Sequence, residues 1–338
     1  MSYKTFIASL PFLWNSVTAF PAGPGYFPPN TSPEPPSNKT VFASAFGLTE
    51  TYDASNWLSK FDVQAIPDPT HGFVNYVDAN RAQQLGLIKN QNNAVYMGVD
   101  SWSTLNPSGP GRDSVRIQSK RAYNQALVIA DFAHVPGSNC GSWPAFWMVG
   151  PNWPNQGELD IYEGVNLNTY NHVTLHTSPG CVPSVGSGGQ TGQRVGNGDC
   201  GQDGGFVGCG VESTAATSYG TAFNANGGGV YATLWTGSGI KVWYFAARDV
   251  PANIRSGNPD PNSWGTPAAN FAGCDFNGKF RDMRLVFDIT FCGDWAGSVW
   301  GSSSCARANP SCNAYVASQP QSFADSYWLV NSIKVYNV

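Results

Sequence analysis

Gly157-Glu158-Leu159-Asp160-Ile161-Tyr162-Glu163-Gly164 is the stretch on which the reading of this chain turns. Leu159, Ile161 and Tyr162 are strand formers and glycines bound the run, so it reads as a short β-strand. Side chains alternate across a sheet, which puts Glu158 and Asp160 on one face. Glu163 would point to the opposite face of a regular strand. One extra residue, a β-bulge around Ile161-Tyr162, returns it to the face of Glu158. The chain has only five glutamates, and two of them stand here. Three acids on one side of a strand are costly unless something uses them.

Two carboxyl groups facing one another across a sugar-sized gap are the apparatus of glycoside hydrolysis. In its retaining form they stand about 5–5.5 Å apart, one attacking the anomeric carbon and the other donating a proton. Two glutamates on one face, separated as a bulge would separate them, suit that distance. Asp160 between them can hydrogen-bond the nucleophile and hold the two glutamate pKa values apart. A solvated polar stripe and a calcium site are the alternatives these residues leave open.

The motif resembles the bulged active-site strand of glycoside hydrolase family 16, in its laminarinase-like branch, and the similarity extends from about residue 45 to the C-terminus. The resemblance implies that Glu158 is the nucleophile, Glu163 the acid/base and Asp160 the nucleophile's assistant. It implies a jelly-roll β-sandwich (concanavalin A-like) of two bent antiparallel sheets, with a concave cleft crossed by the acidic strand.

The rest of the chain is consistent with that architecture. Only 12% of the residues are charged while Gly, Trp and Tyr are abundant, which argues for an all-β fold rich in loops. A net charge of −4 without a basic run argues against nucleic acid as a partner. Lys4, the apolar run Phe6–Trp14 and the small residues Val17-Thr18-Ala19 read as a secretory signal over 1–19. No stretch reaches the roughly 18 apolar residues of a membrane span. Residues 20–44 form a proline-rich tail with two N-glycosylation sequons, at Asn30 and Asn38. One β-sandwich then occupies 45–338. An even count of eight cysteines behind a signal favours up to four disulfides, with Cys200/Cys209 and Cys305/Cys312 as candidate local staples.

Further candidates follow the chain. Phe73-Val74-Asn75-Tyr76-Val77 is a strand, and the resemblance puts Asn75 and Tyr76 on the glycone side of the cleft. Ser114–Ser119 alternates so that Arg116 shares a face with Ser114 and Gln118. Arg116 matches the family's sugar-contacting arginine, whose planar fork suits hydroxyl groups. Trp143 and Trp147 lie four apart on the strand before the acidic one; indoles are natural platforms for sugar C–H faces. His172 and His176 share a strand face about 13 Å apart, too far to chelate one metal. The resemblance places His176 beside the carboxylates. Residues 180–229, rich in glycine, read as a disulfide-stapled insertion. Trp295, on a glycine-flanked turn, is the candidate for an aromatic wall on the leaving-group side.

The expectation is therefore a secreted, monomeric endo-β-glucanase acting on laminarin-like β-1,3-glucan, with mixed-linkage β-1,3(4)-glucan as a second substrate. It needs no metal or organic cofactor. A glucan transglycosylase is the alternative enzyme. A non-catalytic glucan-binding module on the same sandwich is the alternative class.

Overall fold

The structure is a computed structural model whose described residues are 46–196 and 198–338. The expected signal and the proline-rich tail with its sequons lie outside them. Two large antiparallel sheets dominate, and the longest helix among the described residues is the short Cys312–Ser318. One sheet has eight strands, in the order Gln193–Val195, Cys209–Glu212, His172–His176, Glu158–Glu163, Ser142–Val149, Arg284–Phe291, Arg116–Ser119 and Phe61–Val63. The other has nine, with Ala126–His134 between Tyr327–Tyr336 and the Gly229–Thr236/Gly239–Ala246 hairpin.

Alternation explains how the sheets meet. Phe146, Met148, Leu159, Leu175 and Phe287 all point to one side of the eight-stranded sheet and are fully buried. Phe146 and Phe287 stack at 4.5 Å between ring centroids, and Phe132 and Trp328 of the other sheet close on them at 5.5 and 5.2 Å. Each such ring stabilises the fold by roughly 1.5–3 kcal/mol on burial. The opposite face of the same sheet is left for the polar residues that alternate with these. This is the jelly-roll sandwich that the sequence led us to expect.

The bulge falls where parity required it. Asp160 pairs with Trp147 on one side and Thr174 on the other, and Glu163 pairs with Ala145 and His172. Three steps along the acidic strand therefore match two steps along each neighbour. Ile161 and Tyr162, adjacent in sequence, are both fully buried, so the extra residue is absorbed on the core side. The buried Asn171 occupies the gap: its Oδ1 accepts the Glu163 N–H at 2.9 Å and its Nδ2 donates to the Ile161 carbonyl at 2.9 Å. Backbone groups freed by the bulge are thus satisfied.

Four disulfides form: Cys140–Cys305, Cys181–Cys274, Cys200–Cys209 and Cys292–Cys312. The local staple at Cys200/Cys209 is present, whereas Cys305 and Cys312 do not pair with each other. Each reaches instead to the end of a core strand, Cys305 to the residue near the start of Ser142–Val149 and Cys312 to the residue following Phe291. Closeness in sequence was a poor guide because two short helical turns carry these cysteines to different strand ends. The 180–229 insertion is woven into the sandwich, adding Gln193–Val195 and Cys209–Glu212 to one sheet and Ser184–Val185 to the other.

Candidate active site

The polar face of the eight-stranded sheet forms the floor of a cleft of about 680 Å³. Register and alternation decide what lines it. The acidic strand contributes Glu158, Asp160 and Glu163; one neighbour contributes Trp143, Ala145 and Trp147; the other contributes His172, Thr174 and His176. Arg116, Asp288 and Thr290 continue the floor on the far side of the tryptophans.

His176 bridges the first two acids. Its Nε2 lies 3.2 Å from Asp160 Oδ2 and 3.9 Å from Glu158 Oε1, while its Nδ1–H donates to the Gly205 carbonyl at 2.6 Å. Burial disfavours a charged imidazole, but the bond to Asp160, the two carboxylates and the Gly205 carbonyl outweigh it and raise His176 to about 10. It is a fixed cation at neutral pH. His172 contrasts with it: burial pulls its pKa down, against the opposing pull of Glu212 at 3.1 Å.

The two glutamates are tuned differently. Burial and the Asp160 carboxylate push Glu158 up to about 8, against the counter-pull of His176 and Arg116. Glu163, 9% exposed, is held well above the ordinary carboxylate range by burial and by Asp160. Trp143 Nε1–H donates to Glu163 Oε1 at 2.8 Å and offsets part of that rise. His176 and Arg116 draw Glu158 down, whereas Glu163 has His176 and the indole N–H set against the negative charge of Asp160 and Glu158. Glu158 is the easier of the pair to ionise, and Glu163 the better proton holder.

Arg116 is 8% exposed and largely engaged by the protein. Its Nε donates to Gln64 Oε1 at 3.0 Å, its Nη1 donates to Asp288 Oδ2 at 2.9 Å, and the guanidinium lies 4.9 Å from the Trp147 ring centroid. Burial lifts Asp288 to about 7 against this arginine's pull. Trp295 projects from the turn Gly293–Gly297 and meets Trp143 and His172 edge-to-face at 5.7 and 5.6 Å.

All the residues singled out from the sequence reach the cleft lining except Asn75 and Tyr76. Their strand pairs in parallel with Arg112–Ser114; Asn75 Nδ2 donates to Asp113 at 2.6 Å, and Tyr76 is buried behind the floor. Asp288, Trp153 and Phe206 line the cleft without having been singled out. Asp288 carried a signal, a lone acid inside the apolar run Met283–Phe291. Phe206 is 73% exposed and meets Trp153 edge-to-face at 4.9 Å, an exposure that a glycine-rich loop does not reveal in sequence. Glu158, Asp160 and His176 also present donor atoms within 4.8 Å of one another. That spacing would admit a cation, but the charged imidazole already supplies positive charge between the two carboxylates.

Comparison with known proteins agrees with this geometry. The family model described as XgeA-like, catalytic GH16 domain matches residues 61–336. A probable endo-1,3(4)-beta-glucanase of Aspergillus fumigatus is 47% identical over 301 residues, covering 87% of this chain and 46% of that protein. The chain thus spans about half the length of curated relatives it matches. Among solved structures, an elongating GH family 16 beta-1,3-glucosyltransferase superposes with a TM-score of 0.82 at 44% identity, over 87% of this chain and 100% of that one. GH16 Laminarinase 16A from Phanerochaete chrysosporium, solved with 6-O-glucosyl-laminaritriose in donor and acceptor sites, gives 0.79 at 41% identity, over 86% and 99%. With the bulged acidic strand, the two-sheet sandwich and a family model spanning nearly the whole sandwich, this chain belongs to glycoside hydrolase family 16, as an XgeA-like catalytic domain.

Proposed function

We propose that this domain is a retaining endo-β-glucanase that hydrolyses β-1,3-glucan, and mixed-linkage β-1,3(4)-glucan beside it. The observation that carries the reading is the bulged strand, which puts Glu158, Asp160 and Glu163 on the cleft face between two indoles and a cationic imidazole. Glu158 attacks the anomeric carbon as Glu163 gives its proton to the leaving glycosidic oxygen, and the bond between them breaks. The product is a glycosyl ester on Glu158. Esterification removes the negative charge of Glu158, one of the influences that keep Glu163 protonated, so the pKa of Glu163 falls. Glu163 then takes a proton from water, whose oxygen attacks the same carbon and frees Glu158. Asp160, salt-bridged to His176, orients the nucleophile. Trp143, Trp147 and Trp295 offer ring faces and edges for sugar, and Arg116 holds Trp147 and Asp288 in place.

The names of the A. fumigatus relative and of Laminarinase 16A support the substrate class. The glucosyltransferase among the structural neighbours supports a second reading, in which a glucan hydroxyl replaces water as acceptor. Four disulfides suit an oxidising compartment. No helix among the described residues is long and apolar enough to cross a membrane. The disulfides fit an exported domain, with the boundaries proposed from sequence: an export signal over 1–19, a tail over 20–44 and the catalytic sandwich over 45–338, acting outside the cell as a monomer. The deciding experiment is product analysis of laminarin, lichenan and cellulose digests by wild type and Glu158→Gln. Short laminarin products of β configuration, lost in the variant, are expected. Intact glucan binding without cleavage by wild type would replace this reading with a binding module. Products longer than an added acceptor would favour the transferase.

A further inference from the structure

The cation of the cleft, His176, is held by the loop that runs into the neighbouring strand of its sheet, Cys209–Glu212. Residues 200–209 form a small ring closed by the Cys200–Cys209 disulfide, and this ring touches the imidazole twice. The Gly205 carbonyl accepts the Nδ1–H at 2.6 Å. Gly208 lies against the ring: a Cβ there would come within 2.7 Å of Cε1 and 2.8 Å of Nδ1, closer than any side chain tolerates. Both glycines have left-handed backbones, with φ of 95° and 68°. A Cβ on Gly205 would also strike Pro154 at 2.8 Å. The ring of the chain therefore demands glycine at these places for reasons of contact as well as conformation.

The two nitrogens of the imidazole thereby acquire different duties. An acceptor on Nδ1 fixes that nitrogen as a donor and sets the ring plane, leaving Nε2 to the carboxylates. A histidine free to rotate about its χ2 would present either nitrogen, or a carbon, to Asp160 and Glu158. We propose that the disulfide-closed 200–209 ring is a positioning device, whose Gly205 carbonyl and bare Gly208 backbone hold the His176 imidazole so that Nε2 faces Asp160 and Glu158. Gly205 and Gly208 are its positioning residues. They act on the reacting carboxylates only through His176, and the same ring carries Phe206 and Val207 to the cleft wall. This inference rests on reading Glu158 as the nucleophile and Asp160 as the group that orients it, although the orientation of the imidazole can be tested without any substrate.

The test compares wild type with Cys200→Ser/Cys209→Ser, Gly208→Ala and Gly204→Ala. Gly204 shares the ring and a left-handed backbone, but a Cβ there meets nothing within 4 Å, so its variant isolates backbone strain from contact with the imidazole. The first readout is the proton NMR signal of His176 Nδ1–H, assigned by its loss in His176→Gln. The second is the split between kcat and KM on laminarin. We expect a slowly exchanging signal in wild type and Gly204→Ala. In Gly208→Ala and the cysteine variant it should broaden or vanish, with kcat reduced about tenfold to a hundredfold, as for misplacement of a reacting group, and KM changed much less. An undisturbed signal in a folded cysteine variant or Gly208→Ala overturns the proposal. Equal disturbance in Gly204→Ala overturns it as well, since strain alone would then suffice. If wild type cleaves no glucan, the proposed function fails while the NMR arm still decides the orientation.

Discussion

Trp143→Phe isolates one hydrogen bond in the cleft. The indole Nε1–H donates to Glu163 Oε1 at 2.8 Å, and the carboxyl is nearly enclosed. Phenylalanine keeps an aromatic ring beside Trp295 and removes the donor. A hydrogen bond to a charged acceptor is worth about 1.5–3 kcal/mol, against about 0.5–1.5 for a neutral one. The ionised form of Glu163 therefore loses about 1–1.5 kcal/mol more than the protonated form, which is about one pKa unit. The sign follows from the donor: it favours the anion, so its removal raises a pKa that burial and Asp160 already hold high. Glycosidic cleavage needs Glu163 protonated, so the basic limb of kcat/KM for laminarin should move upward by about one pH unit. Water activation needs it ionised, so kcat at acid pH should fall. Initial rates across the pH range, with ¹³C titration of the glutamate carboxyls, measure both. A basic limb that stays in place or moves downward in an active, folded variant refutes the assignment of Trp143 as the group tuning Glu163.

Glu158→Gln should raise thermal stability as it removes turnover. The folded carboxyl titrates at about 8 against an ordinary 4.5, so its contribution is full below about 4.5 and lost as pH rises through about 8. Calorimetry should thus show the variant level with wild type near pH 4 and more stable by up to about 4 kcal/mol, with a correspondingly higher Tm, at pH 8; equal Tm at both pH values would contradict this. Arg116→Ala strands Asp288 in a buried position without its cation, at a cost of about 3–5 kcal/mol in urea unfolding. Adding Asp288→Asn should recover part of that loss, and no recovery would mean that the arginine matters through Trp147 alone.

The acidic strand was legible because it carries a parity conflict. Glu158, Asp160 and Glu163 cannot share a face of a regular strand, and the chemistry that wants them together predicts the bulge. Trp143 and Trp147 were legible for the opposite reason, since their spacing agrees with an unbroken strand. Arg116 shows what residue type leaves out. A guanidinium on the right face suggests a sugar contact, and Arg116 does line the cleft; what the sequence does not show is that Gln64 and Asp288, both from other strands or loops, also take hydrogen bonds from it. Contacts between distant segments leave no local pattern. The same holds for Cys305 and Cys312, whose partners were decided by strand ends far along the chain. Phe206 is the extreme case: glycine-rich sequence announces a loop and says nothing of the wall that the loop builds.

The bulge also sets what kinds of inherited change this strand can survive. Ile161 and Tyr162 face the core, where exchange for another apolar residue of similar volume is commonly tolerated at less than about 1.5 kcal/mol. Loss of a single residue between Asp160 and Glu163 is a different event. It would restore regular pairing and leave the side chain of Asn171 with nothing to bridge, yet the acid, then two positions after Asp160, would stay on the cleft face. A tidier strand would still present all three acids. Among descendants of this gene the segment should therefore drift in spelling and survive loss of its bulge residue, with other indels displaced into the glycine-rich loops that the sheet register does not count.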